Sequence, residues 1–283
     1  MYKVGLVLEG GGMRGMFTAG VLDYFLEKEL EFAGIIGVSA GCIHACSFIA
    51  KQKNRSREIT LEFIHDKRYC SLKSLRQTGD LFNTQFVYHD IPKKYYPFDN
   101  ETFNKSKSKF WVCATDIVKG KPKYFQVKTF ANGEIDIIRA SSSLPMISNI
   151  VKYQGKEYLD GGATDSIPIK KMESMGYEKN VVILTRVKGY RKRPSRSYLA
   201  MKKRYKKYPN FINAIKNRHI NYNETMDYLE KQRDAGKLFM IEPERKLKVR
   251  RIEKNKSRLE ESYNEGYQTA KRVYDDLMKF LSE

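Results

Sequence analysis

Residues 8–15 read Leu8-Glu9-Gly10-Gly11-Gly12-Met13-Arg14-Gly15, and what flanks this stretch decides the fold. Gly10, Gly12 and Gly15 have the G-x-G-x-x-G spacing of a dinucleotide-binding loop. An apolar run over residues 4–8 precedes it and reads as a strand. Residues 13–30 follow, with Met16, Val21, Leu22, Phe25 and Leu26 at helical spacing.

Strand, glycine turn and helix make one unit of an α/β sheet, and the pattern continues. Residues 34–38 read as a second strand and 41–51 as a helix rich in small and apolar residues. Residues 110–115 read as a central strand, with a hairpin through Lys119-Gly120-Lys121-Pro122 into 124–127. Residues 181–185 and 238–241 read as later strands, the last ended by Pro243. The expected fold class is α/β with a mostly parallel central sheet. Residues 65–105 predict short helices and a covering loop, 188–235 a basic helical region, and 257–281 one terminal helix. No repeat or low-complexity linker divides the 283 residues, so a single domain is expected, large enough to bury its core without staples.

The net charge of +20 comes from 53 basic and 33 acidic residues, unevenly placed. No acidic residue occurs between Glu178 and Glu224, and 186–207 is crowded with Lys and Arg interleaved with Tyr190, Tyr198 and Tyr205. Such a segment suits an anionic surface, either lipid headgroups or nucleic acid, or forms a solvated basic face. Cys42, Cys46, Cys70 and Cys113 lack the spacing of a disulfide framework or a zinc site, so all are expected reduced and no metal is expected. No stretch reaches the roughly 20 apolar residues of a membrane span. Residues 4–8 are too short for a signal-peptide core. A cytoplasmic, soluble protein is expected, with the membrane surface as a peripheral location.

Gly37-Val38-Ser39-Ala40-Gly41 matches G-x-S-x-G where an apolar strand turns directly into a helix. A nucleophilic serine needs that sharp turn, which lifts Oγ above the sheet at a helix N-terminus. The dinucleotide alternative requires an acidic residue about 20 positions past the glycine loop, at the end of the second strand. That strand ends at Ser39 instead, while Glu29 and Glu31 precede it. Three consecutive glycines before a helix also suit acyl transfer, because they expose several backbone N–H groups to a developing oxyanion. Both loops leave the carboxyl ends of their strands and so reach one edge of the sheet. Among the four histidines none has a rigid glycine-flanked context, and His44 lies on the helix after Ser39, pointing away from the turn. Asp160 in Tyr158-Leu159-Asp160-Gly161-Gly162 has such a context and is the leading candidate for the base.

These three motifs, in this order, resemble the patatin-like phospholipase family. The segment Arg139-Ala140-Ser141-Ser142-Ser143-Leu144-Pro145 is similar to that family's A-S-x-x-x-P element. The likeness covers residues 3–185, and 237–243 and 259–270 resemble the closing strand and helix of bacterial members more loosely. The resemblance implies a Ser–Asp dyad without histidine, on a three-layer α/β/α fold with a mostly parallel central sheet, related to cytosolic phospholipase A2. It carries over Ser39 as nucleophile, Asp160 as base and Gly10, Gly11 and Gly12 as oxyanion hole, with Met13 and Arg14 completing the substrate-contacting loop. Arg14 either fixes the loop, contacts an anionic headgroup or is a surface arginine. Asp165-Ser166 stands where the family often has Asn, and Asp165 is a second carboxylate close to the motif. The expected activity is deacylation of a phospholipid or lysophospholipid without cofactor, with 186–207 docking on an anionic bilayer. The alternative is a non-catalytic protein that binds nucleic acid or another anionic surface through 186–207.

Overall fold

The computed structural model describes residues 1–131 and 133–282. Within them one eight-stranded sheet is built from β1 (Tyr2–Leu8), β2 (Phe32–Val38), β3 (Lys109–Asp116), β4 (Lys121–Val127), β5 (Val151–Tyr153), β6 (Lys156–Asp160), β7 (Asn180–Ile183) and β8 (Leu238–Ile241). The hydrogen-bonded path is β5-β6-β3-β2-β1-β7-β8, with β4 also on β3. The expected parallel sheet is the half from β8 to β3. The remaining pairs, β3–β4, β3–β6 and β5–β6, are antiparallel; the first and last are joined by short hairpins, and such links cannot make a crossover. The second turn is Gln154-Gly155, both with positive φ, a tight hairpin without the usual Asn-Gly signal.

Helices cover both faces. They are α1 (Gly15–Glu27), α2 (Ala40–Ile49), α3 (Arg55–Phe63), α4 (Leu72–Thr78), α5 (Asn100–Lys105), α6 (Ile135–Ser142), α7 (Ile169–Ser174), α8 (Tyr198–Arg204), α9 (Pro209–Asp234), α10 (Lys256–Arg272) and α11 (Tyr274–Ser282). Side chains alternate along β1 with the period of a strand. Leu6 and Leu8 join the layer of Phe17 and Val21 from α1 and Leu277 from α11. Val7 joins the opposite layer with Met172 of α7 and Tyr222 and Met226 of α9. The covering segment over 65–105 includes α4, α5 and a π-helical stretch, Phe86–Tyr95, with Pro92 inside it. The terminal helix is broken at Val273, so one expected element is two, α10 and α11.

The C-terminal part is built into the same sheet and the same helical layer. β8 extends the sheet beyond β7, and α10 crosses α1 at two glycines. A Cβ on Gly20 would lie 2.0 Å from the Tyr263 carbonyl oxygen, and one on Gly266 would lie 1.9 Å from the Phe17 carbonyl oxygen. Only glycine permits backbones to approach so closely. No described helix is long and apolar enough to cross a membrane.

Candidate active site

The register of β3 explains how two distant motifs meet. β4 lines one edge of β3 from Phe110 to Asp116. β2 and β6 therefore share the other edge, since each of them pairs with β3 residues that β4 also pairs. β2 follows that edge as far as Val38 opposite Cys113, and β6 takes over at Asp160 opposite Ala114. The end of one strand, where Ser39 leaves, thus abuts the end of the other, where Asp160 sits. A Cβ on Gly161 would lie 2.1 Å from the Cys113 carbonyl oxygen and 3.1 Å from Val38 Cγ1, so the Asp160 loop closes onto this junction only because it is glycine.

Ser39 adopts φ 54° and ψ −124° between β2 and α2, a left-handed turn that no L-residue favours. Such a conformation stores roughly 1–3 kcal/mol and persists only where its surroundings enforce it. Here the Ser39 N–H donates to Ser141 Oγ at 2.8 Å, and Ser141 Oγ donates to the Cys113 carbonyl at 2.6 Å. Ser141, buried on α6, is a peg that ties the elbow to β3. Gly37 and Gly41 leave no Cβ to collide with the turn: one on Gly41 would lie 2.6 Å from the Leu8 carbonyl oxygen.

Asp160 is buried, with Oδ1 accepting the Gly162 N–H at 2.8 Å and Oδ2 without a hydrogen-bond partner. Burial pushes its carboxyl pKa up. The adjacent Ser39 hydroxyl, the guanidinium groups of Arg218 and Arg251 and the Gly162 N–H pull it back. Asp165 is differently engaged, accepting from the Tyr124 hydroxyl at 2.7 Å and from the Ile167 N–H at 3.3 Å. Burial again raises its pKa, and Ser39 does not act on it. His44 is buried on α2 and pushed down to about 4 by desolvation alone.

The glycine loop lies against the elbow. A Cβ on Gly10 would lie 3.2 Å from that of Ser39, and Gly12 has φ +57° with the Arg251 carbonyl oxygen 2.5 Å from where its Cβ would be. The Met13 N–H donates to that same carbonyl at 3.0 Å, and the Gly10 N–H makes a long bond of 3.4 Å to Ser166. Among the described residues the N–H groups of Gly11 and Gly12 have no hydrogen-bond acceptor. Of the five loop positions singled out from sequence, these two present free donors. Met13 instead contributes its side chain to an apolar cavity, and Arg14 is buried with Nε unpartnered.

Two cavities meet at Ser39, Gly12 and Leu144. One, of about 470 Å³, is lined mainly by apolar side chains such as Met16, Ile43, Val87, Tyr88, Phe98 and Phe130. Its size is ordinary for a small-molecule site. The other, about 210 Å³, is lined by Asp160, Glu9 and a set of basic side chains. Glu9 directly follows β1 and binds three groups: Oε2 accepts from the Thr185 N–H at 2.6 Å and its hydroxyl at 2.9 Å, and Oε1 accepts from the Tyr222 hydroxyl at 2.8 Å. Among the described residues no group of His, Cys, Asp and Glu is arranged to hold a metal ion, and the four cysteines are free and buried.

The model of patatin-like phospholipases matches residues 6–172, more than half of the chain. The chain belongs to the patatin-like phospholipase family. A second family model, described as a domain of unknown function, matches residues 208–282. Escherichia coli (strain K12) has a relative, the uncharacterized protein YjjU, 28% identical over 99% of this chain and 80% of its own length. The probable lipid hydrolase 463L of Invertebrate iridescent virus 6 is 28% identical over 59% of this chain and 62% of its own. The lysophospholipase nte1 of Aspergillus fumigatus is 30% identical over 61% of this chain, which spans 11% of that longer protein. In this patatin-like protein the sequence signal reached Ser39, Asp160 and the glycine loop. It did not reach Glu9, Arg218 or Arg251, and it marked Ser141 only as part of the 139–145 segment, without the bonds that tie Ser39 to β3. Glu9, a charge closing an apolar strand, was the one legible hint. Arg218 and Arg251 have no motif and join the site only through folding.

Proposed function

We propose that the protein is a serine acyl-ester hydrolase of phospholipase A or lysophospholipase type, using Ser39 as nucleophile and Asp160 as its base. One observation carries this reading: a strained Ser39 stands beside a buried Asp160 whose Oδ2 has no hydrogen-bond partner, where an apolar and a polar cavity meet. The family and the relatives named for lipid hydrolysis support it.

Asp160 accepts the Ser39 proton while Oγ attacks the ester carbonyl, giving a tetrahedral oxyanion. The free N–H groups of Gly11 and Gly12 stabilise that charge, a contribution of about 10²–10³ in rate per donor. Collapse expels the alcohol, which takes the proton from Asp160. Water then attacks the acyl-enzyme by the same route in reverse. A carboxylate is a weak base for an alcohol, and its raised pKa narrows that gap. The acyl chain lies in the apolar cavity. Helix α8, with Leu199 77% exposed beside Lys202 and Lys203, brings the site to an anionic bilayer. Arg186 and Lys192 line the polar cavity instead of a solvated face, an arrangement that favours a lipid hydrolase over a nucleic-acid binder.

A fluorophosphonate probe should label the wild-type protein and leave Ser39→Ala unlabelled, with hydrolysis of short nitrophenyl esters lost in parallel. Equal labelling of the variant refutes the assignment.

A further inference from the structure

The smaller cavity carries more positive charge than acyl transfer needs. Arg14 enters from the glycine loop, Arg186 and Lys192 from the segment after β7, Arg218 from α9, and Arg251 from the strand-to-helix connection before α10. Among the described residues none of the five is paired at contact distance with a carboxylate. Arg218 Nε donates to the Gly162 carbonyl, Lys192 Nζ lies 3.8 Å from the centroid of the Tyr222 ring, and Arg186 stacks 4.3 Å from that of Tyr190. Aromatic faces and one carbonyl hold these cations in position without neutralising them. Of the two carboxylates in the lining, Glu9 is engaged through both oxygens by Thr185 and Tyr222, and Asp160 through Oδ1 alone by Gly162.

The charges also act on one another. Burial, then Arg186, lowers Arg14 to about 10. Lys192 is held well below its ordinary range by burial and by Arg218, Arg251 and Arg186. Burying like charges together is unfavourable unless an anion joins them. The cluster lines the cavity that meets the apolar one at Ser39.

We propose that this cationic chamber is the subsite for the phosphate of the substrate headgroup, and that it selects acyl esters whose phosphate bears no cationic substituent. The inference rests on the hydrolase reading for its lipid. Its phosphate-binding part stands on the charge cluster alone. A phosphate oxygen set fits guanidinium forks and an ammonium. A choline or ethanolamine group would bring a further cation into a lining that already holds six Lys and Arg side chains against two carboxylates, Glu9 and Asp160. Arg218 and Arg251 belong to the 208–282 segment, so that segment supplies part of the substrate specificity of a site whose nucleophile lies in 6–172.

The test uses three esters with the same acyl chain: 1-acylglycerol 3-phosphate, 1-acylglycerophosphocholine and 1-acylglycerol. Wild type should hydrolyse the phosphomonoester with kcat/KM at least tenfold above the other two. In Lys192→Gln and Arg186→Gln that preference should fall by about 10- to 100-fold, the usual cost of removing a charge-assisted hydrogen bond. Inorganic phosphate should raise the wild-type melting temperature and raise that of each variant less. Equal kcat/KM on all three esters, with Ser39 still labelled by fluorophosphonate, overturns the headgroup assignment and leaves the hydrolase intact. Phosphate binding without preference for the phosphomonoester also overturns it, and marks a site for free anion. No labelling and no turnover on any ester is the failure of the hydrolase reading itself, and the phosphate titration still decides whether the chamber binds anions.

Discussion

Ser141→Ala tests whether the elbow is held from outside. In the native protein the Ser141 hydroxyl accepts from the buried Ser39 N–H at 2.8 Å and donates to the Cys113 carbonyl at 2.6 Å. Alanine removes both bonds and leaves the N–H enclosed without an acceptor, which costs about 1–3 kcal/mol, with roughly 1 kcal/mol more for the carbonyl. The total of about 2–4 kcal/mol converts through an unfolding entropy near 2.1 cal/mol/K per residue. For 283 residues that is about 0.6 kcal/mol/K, so the melting temperature should fall by roughly 3–7 °C. Turnover should suffer more than stability. Ser39 at φ 54° relaxes once its N–H is released, and a displacement of about 1 Å at a nucleophile costs on the order of 10²-fold. Scanning calorimetry and nitrophenyl ester hydrolysis read the two effects separately. Ser142→Ala is the control, because that hydroxyl bonds neither Ser39 nor Cys113, and its turnover should stay within about twofold. A Ser141→Ala protein with wild-type melting temperature and kcat would refute the peg.

Four further outcomes follow from the same structure. The kcat/KM profile should lose activity as pH falls through a limb above the ordinary aspartate value of 3.8, since burial raises Asp160 and only its ionised form accepts a proton; Asp160→Asn should lower kcat by about 10²–10⁴-fold, and a limb below 3.8 would count against this assignment. His44 titrates near 4 in the fold and near 6.5 when unfolded, so the unfolded chain binds more protons between those values. Its contribution is complete above pH 6.5, and about 3 kcal/mol of stability is lost as pH falls to 4; urea titrations should show a shallower acid slope for His44→Gln. Gly266→Ala forces a methyl against the Phe17 carbonyl oxygen and should destabilise by about 1–3 kcal/mol, whereas unchanged stability would mean that α1 and α10 are not in this contact. Leu199→Asp on α8 should weaken binding to vesicles rich in anionic lipid while leaving hydrolysis of a soluble ester intact, and undiminished sedimentation with vesicles would exclude α8 as the contact.

The nucleophile elbow and the glycine loop were legible because each is a local device. A strand that ends in a glycine-flanked serine, or in three glycines, before a helix marks a tight turn whose backbone only glycine readily permits. The same locality explains the successes of the fold reading along β1, β2, β3 and β8, where apolar runs sit between clear turn signals. The misses have a common cause. The antiparallel strand β5 is three residues long and turns on Gln154-Gly155, too little pattern to register. The break at Val273 interrupts an apolar periodicity that runs on through it, so the pattern predicts one helix where the backbone makes two.

What the sequence determined by itself was therefore the family and the central strands β1, β2 and β3, with Ser39, Asp160 and the glycine loop as candidates for the site, since these rest on patterns between neighbours in the chain. Tertiary structure alone decided the rest. β6 takes the place that β2 vacates beside β3, so Asp160 reaches Ser39 through the register of strands rather than through any motif. Arg14, Arg186, Lys192, Arg218 and Arg251 come from four separate segments of the chain, and in the sequence most of them are lost in a general excess of positive charge. Only the fold shows which basic residues converge beside Ser39 and which remain in solvent on α8, because convergence depends on distances in space that spacing in the chain does not encode.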